Sequence, residues 1–196
     1  MEPREQRSFR HFAWAFEPED DGSGGIDFSY DLMRTEQHYA TQTAGLDLAF
    51  DLPTALFFAT QAFTWGEDGR AFYRPVRRGE HQGVIYLFRF GSPSVRKTEY
   101  LIRDFDFFRT HRPERILRQH CGLPLFGPHE RNVAITDIDC IISLHPDFQT
   151  DRCLSPEYMF PGVAEDPFYR KLLELKRDRP DVLRDVVEYR WALDSA

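Results

Sequence analysis

The stretch from Gln37 to Ala59, QHYATQTAGLDLAFDLPTALFFA, constrains this chain more than any other. It opens on a polar-aromatic group, Gln37-His38-Tyr39, and passes through small and polar residues to a single acid, Asp47. It closes on PTALFFA, a run that is nearly all apolar and must be buried. Groups able to do chemistry thus stand directly before an element that anchors a core, the sequence pattern of a site wall. Asp51 and Pro53 read as the opening of that element, a helix with Asp51 at its cap and Pro53 in its first turn. The helix is expected to run through LFFATQAF and to end before Gly66.

The rest of the chain supplies enough material for one core. Its 196 residues are 41% hydrophobic and include 18 Phe, which fits one domain, or one domain with an appendage. Residues 1–27 read as an N-terminal helical and linker segment, in which RSFRHFAWAF is amphipathic and EPEDDGSGG an acidic, glycine-rich loop. Residues 28–196 read as the main domain. A helix is expected from about Phe28 to Tyr39, and a turn with an extended piece over Gly69–Pro75. Strands are expected over 83–90 (GVIYLFRF) and 137–144 (DIDCIISL), with 97–108 extended as well. ERILRQHCG reads equally as a helical turn or a strand. Helices are expected over 167–178, opening on Pro167, and after Pro180, where Val182, Val186, Tyr189 and Leu193 fall on one face. The order of elements predicts an α+β domain: a small, mostly antiparallel sheet with flanking helices.

Charge and cysteine usage narrow the setting. The net charge is −7, yet residues 70–118 carry eleven Arg and Lys97 against five acids, a local excess of +7. Such a segment either faces a phosphate-bearing partner or is a solvated surface paired with acids from elsewhere, the commoner case. No apolar run is long enough to span a membrane, the N-terminus lacks a secretory h-region, and three Cys without CxxC spacing do not make a disulfide framework. A reducing cytoplasm is the expected location. His120, Cys121, His129, Cys140, His145 and Cys153 crowd the later chain without tight ligand spacing, so no metal is expected. No P-loop, Rossmann or GxSxG pattern occurs.

Three ordered segments carry a family resemblance. Gln37, His38, Tyr39, Thr43, Leu46, Asp47, Ala55, Leu56, Phe58 and Ala59 stand in register with QHYGxPTRLLDWTxxPxxALYFA, the central motif of the FRG domain, a family of bacterial and phage proteins. ERILRQHCGLPLF, residues 114–126, is similar to the family's RIxxQxGxF segment through Arg115, Ile116 and Gln119, with one extra residue before the Gly. EYMFPGVAEDPFYRKL, residues 157–172, is similar to its closing segment. The chain departs from the pattern at Ala40, Gln42, Ala44, Leu48 and Ala49, and it lacks the Phe/Tyr-Arg-Gly tripeptide that names the family.

FRG domains resemble ADP-ribosyltransferases in layout and are associated with toxins and phage defence. The resemblance therefore implies a split sheet, NAD as substrate with no metal, and transfer of ADP-ribose to a macromolecule. Its implied partners are a protein or nucleic-acid acceptor and an antitoxin or other partner protein, with no membrane. By the same resemblance His38 would bond a ribose hydroxyl and Tyr39 would stack on the nicotinamide. Thr43 and Asp47 would hold the loop or a sugar hydroxyl, and Gln119 would stand near the ribose where a transferase often has Glu. A neutral Gln orients a hydroxyl but is no general base, and Glu114 and Glu99 are the alternatives for that role. Taken as bare residues, Tyr39 reads as a core aromatic and Asp47 as a cap on backbone amides. The lost Arg and Thr leave two other outcomes open: a catalytically degenerate FRG domain that binds nucleic acid or protein, or NAD hydrolysis without transfer.

Overall fold

The computed structural model of the chain describes residues 37–41, 47–80, 83–90, 95–97, 106–124, 136–150, 153–181 and 183–192. The helix that follows the polar stretch is α1, Leu52–Thr60. Asp51 caps it in extended backbone, its Oδ1 accepting from the Thr54 N–H at 2.8 Å, and Pro53 occupies the first turn, where a missing N–H costs nothing. Leu56 and Phe57 face inward.

The helix ends earlier than expected. Gln61–Trp65 is a strand, β2, paired residue for residue with β3, Ala71–Pro75. The turn between them explains the difference. Gly69 takes a left-handed φ of 74°, the Gly66 N–H donates to the Arg70 carbonyl at 2.8 Å, and Asp68 Oδ1 accepts from the Arg70 N–H. A tight hairpin with five paired residues outweighs the helical periodicity of TQAF, and the extended piece expected over Gly69–Pro75 is its second strand.

Every pairing between the described strands is antiparallel. The other strands are β1 (Leu48–Ala49), β4 (Val84–Phe88), β5 (Val95–Lys97), β6 (Cys121–Pro124) and β7 (Ile138–Ser143). They form a three-stranded sheet in the order β1-β6-β5 and two ribbons, β2-β3 and β4-β7. The architecture is therefore α+β with small antiparallel sheets, and the strands expected over 83–90 and 137–144 pair with each other. Gly83 permits the β4-β7 ribbon to sit against α1, because a Cβ there would collide with the Ala59 carbonyl oxygen.

Four helices complete the described fold. They are α2 (Asp106–His111), α3 (Glu114–Arg118), α4 (Pro156–Met159) and α5 (Pro167–Asp178). Helix α2 corrects the end of the stretch expected to be extended over 97–108: among the described residues Val95–Lys97 pairs as a strand, and a helix begins at Asp106. ERILRQHCG resolves into both of its readings, helix to Arg118 and strand from Cys121. Helix α5 starts as expected, with Asp166 as cap and Pro167 at its first position, and buries Phe168, Tyr169, Leu172 and Leu173. Each such side chain gains about 1.5–3 kcal/mol by leaving water.

The helix expected after Pro180 does not form. Residues 183–185 turn, and 186–189 then run as a strap that ends in a short 3-10 turn at Arg190–Ala192. The Val187 N–H donates to the Tyr39 carbonyl at 2.9 Å, Thr41 N–H donates to Asp185 O, and Ala71 N–H donates to Glu188 O. Isolated bridges join Val186 to Ala40 and Tyr189 to Ala71. The strap is wedged between the polar stretch and β3, so Val186 and Val187 are both buried although they are neighbours. A helix would forfeit those backbone bonds. Of the helix expected over 28–39, only Gln37–Tyr39 is described, and it forms a turn. The N-terminal segment 1–27, the boundary with it, Thr43 and Glu99 lie outside the described residues. Among the described residues, no helix is long and apolar enough to cross a membrane.

Candidate functional site

The three segments singled out by resemblance meet in one place. Arg115, on α3, is 0% exposed, and its Nη1 donates to the His38 carbonyl at 3.1 Å. Its guanidinium carbon lies 3.9 Å from the ring centre of Tyr169 and 4.4 Å from that of Tyr39, with Tyr189 and Phe160 further out. Nε and Nη2 find no hydrogen-bond acceptor, and ring faces stand in for one. The Tyr39 hydroxyl donates to Asp166 Oδ2 at 2.7 Å, while Asp166 Oδ1 caps α5. Burial pushes the Asp166 carboxyl above its usual range, and the Arg115 charge pulls it part of the way back.

This cluster corrects one expectation. Tyr39 is 1% exposed and enclosed by Arg115, Phe168 and Tyr169. Its ring is spent on the core, so it has no free face for a nicotinamide. Burial raises its phenol well above the ordinary value, keeping it a neutral donor to Asp166. Its placement matches the core reading of the bare residue.

His38, one residue earlier, faces the other way, and its surroundings fix its chemistry. Gln119 Nε2 donates to the Met159 carbonyl at 3.0 Å, and a carbonyl can only accept. Gln119 Oε1 is therefore the atom 3.0 Å from His38 Nδ1, so Nδ1 carries a proton and donates. In the neutral ring Nε2 is left as the acceptor, and Cys121 Sγ lies 3.2 Å from it. Asp47 Oδ2 is 3.7 Å from Nδ1. His38, Gln119 and Cys121 are 5%, 3% and 4% exposed, whereas Asp47 faces solvent.

Local backbone geometry delivers these side chains. Gln119 is the C-cap of α3 and Cys121 is the first residue of β6. His120 between them adopts a left-handed φ of 45°, which reverses the chain within one residue. His120 and Cys121 stand where RIxxQxGxF has a single residue. The His120 carbonyl accepts from the Phe50 N–H at 2.8 Å, and Ala49 pairs with Cys121 across β1-β6, which brings the Asp47 end of β1 beside the thiol.

His38, Asp47, Gln119 and Cys121 line a cavity of about 1220 Å³. That exceeds the roughly 300–1,000 Å³ usual for drug-sized ligands. Its walls are aromatic: Phe50, Phe58, Phe63, Trp65 and Tyr86 all line it and are exposed. The Thr54 hydroxyl is buried without a partner, and Thr54 lines the same cavity. No lysine or arginine is among the described lining residues.

Of the residues expected in the site, His38, Asp47 and Gln119 are brought together. Glu114 is not with them: it is 3.1 Å from Arg112 in an ion pair outside the cavity lining. Gln119 is engaged at both ends of its amide, so it positions His38 rather than reaching a ribose. Sequence reasoning missed the aromatic wall, the thiol beside His38 and the burial of Arg115. Spacing alone gave no sign of the group His38, Asp47 and Cys121, because its members are far apart in the chain. The Phe63/Trp65 alternation was the signal for β2 as a wall.

Five of the eleven arginines of the basic middle pair with acids among the described residues, Arg112 with Glu114 being one of them. Arg74 grips Glu80 through two bonds of 2.7 and 2.8 Å, Arg89 meets Asp139, Arg78 meets Asp147 and Arg118 meets Glu165. Compared with known proteins, the chain matches no family model, no curated protein and no solved structure.

Proposed function

We propose that the protein is an FRG-type effector with an ADP-ribosyltransferase-like split sheet, which binds NAD in the aromatic cavity and transfers ADP-ribose to a macromolecule in a toxin or anti-phage setting. The observation that carries this reading is the contact between His38 and Gln119 on the wall of one large cavity beside Asp47. Breaking the nicotinamide–ribose bond builds positive charge on the ribose. A carboxylate fixed at the cavity edge stabilises that charge more than it stabilises the ground state, which is the requirement for catalysis. Asp47 fills this role, and the exposed rings of Phe58, Phe63, Trp65 and Tyr86 replace Tyr39 as the stacking surface for nicotinamide and adenine. The Thr54 hydroxyl supplies a bond to a sugar hydroxyl. With no cation on the described lining, the pyrophosphate lies toward the open side.

A second reading, a degenerate domain that binds its ligand or a partner protein without turnover, is favoured by the commitment of both ends of the Gln119 amide. The pairing of Arg74, Arg78, Arg89 and Arg118 with acids weighs against its nucleic-acid form. Isothermal titration of the full chain with NAD separates the outcomes. Saturable binding that is weakened by Trp65→Ala supports the cavity as the site, and no heat at millimolar NAD removes the NAD reading.

A further inference from the structure

The neighbourhood of His38 holds a second kind of chemistry, which draws on Asp47 as the NAD reading does but is tested without NAD. A ring nitrogen of His38, a carboxylate oxygen of Asp47 and Cys121 Sγ all lie within 4.8 Å of one another. They arrive from three separate places: the turn at Gln37–Tyr39, the approach to β1 and the first residue of β6. We propose that His38, Asp47 and Cys121 form a binding site for a divalent transition metal, with zinc the ion whose ligand preferences they match.

Four features support the assignment. The donor set is one nitrogen, one sulfur and one oxygen, and zinc takes all three. The spacing is close to what a tetrahedral ion needs. Bonds of about 2.0 Å to nitrogen and 2.3 Å to sulfur put the two donors about 3.6 Å apart. Cys121 Sγ is 3.2 Å from Nε2 and 3.9 Å from Nδ1, which brackets that separation but places the sulfur off the Nε2 lone-pair axis, so the ion is taken up with a turn of the His38 ring or the Cys121 side chain. The outer partner is in place: Gln119 Oε1 accepts from Nδ1–H, which fixes the tautomer that leaves Nε2 unprotonated and able to ligate. The charges balance as well, because a thiolate and a carboxylate neutralise a dication. A buried thiolate otherwise carries a large desolvation cost.

Three protein ligands beside a large cavity leave a fourth position for water or a substrate oxygen, the arrangement of catalytic rather than structural zinc. The thiol proton leaves to solvent on binding, so affinity rises with pH.

The test uses the full chain carrying C140S and C153S, which removes the other two cysteines, after treatment with a chelator. It is titrated with Zn²⁺ and, separately, with Co²⁺ in the absence of NAD. The expected result is one ion per chain, a thiolate-to-cobalt charge-transfer absorption, and a rise in Tm with zinc. Cys121→Ser abolishes the charge-transfer band. Asp47→Asn, at an exposed position where folding is safe, weakens binding at least roughly tenfold, and Gln119→Leu by about 10–100-fold. Absence of stoichiometric binding, or binding unchanged in both Cys121→Ser and Asp47→Asn, overturns the proposal. Because NAD is absent throughout, either result is independent of the NAD reading.

Discussion

Gln119 Oε1 lies 3.0 Å from His38 Nδ1, and the opposite end of the same amide is tied to the Met159 carbonyl. One neutral side chain therefore joins three distant segments and sets the tautomer of the histidine. Replacing it by Leu leaves a buried N–H and a buried carbonyl without partners, each costing about 1–3 kcal/mol. Gln119→Leu is expected to lower the urea midpoint accordingly. Gln119→Glu is expected to keep the bond to His38 and lose the one to Met159.

Arg115 is the largest fully buried side chain among the described residues, and four aromatic rings surround it. Its removal takes away the donor to the His38 carbonyl and leaves Asp166 without its nearby cation. Arg115→Ala is expected to destabilise by about 2–5 kcal/mol, the range for emptying a large buried site. Arg115→Lys is expected to recover only part, because an ammonium cannot lie flat between rings. Equilibrium denaturation of both variants checks the order.

Much of this was legible in the sequence, for identifiable reasons. Helix α5 was readable because cap, proline and apolar spacing agree over Asp166–Asp178. The start of α1 was readable for the same reason at Asp51 and Pro53. Its end was not, because the hairpin at Gly66–Gly69 is decided by pairing with β3, a contact that periodicity does not encode. The strap at 186–189 misled in the same way: Val186 and Tyr189 are spaced for a helix, yet each is held by an isolated bridge to another segment. In the site, His38, Asp47 and Gln119 could be selected from the family pattern. Their partners could not, since only the fold brings Cys121 against His38.

Acid titration gives a test with a definite sign. Burial raises the Asp166 carboxyl above the ordinary aspartate value in the folded state. The protonated form is thus favoured by folding, and this contribution is present below the unfolded value and lost as pH rises through the folded one. Asp166→Asn is expected to lack that loss, so its stability relative to wild type rises with pH across this window. Glu80 acts in the opposite sense. Its bonds to Arg74 and to the Arg77 N–H hold it down at about 2, so its contribution is present above 4.5 and lost as pH falls. Glu80→Gln removes that acid-side loss, and the difference shrinks in high salt.

Gly83 is a steric test of the cavity wall. A methyl there meets the Ala59 carbonyl and Leu144 Cδ1 at the junction of α1 and β4. Gly83→Ala is expected to cost about 1–3 kcal/mol in thermal denaturation through overpacking. Gly69→Ala meets no neighbour but is strained by its positive φ, so it is expected to cost less, about 1 kcal/mol.

The most direct test of the proposed function is nicotinamide release from NAD by the full chain, compared with Asp47→Asn. The account predicts measurable release by the wild type and a fall of roughly 10²–10⁴-fold in the variant, with circular dichroism unchanged. No release by the wild type above a protein-free control, or equal release by both, would contradict it.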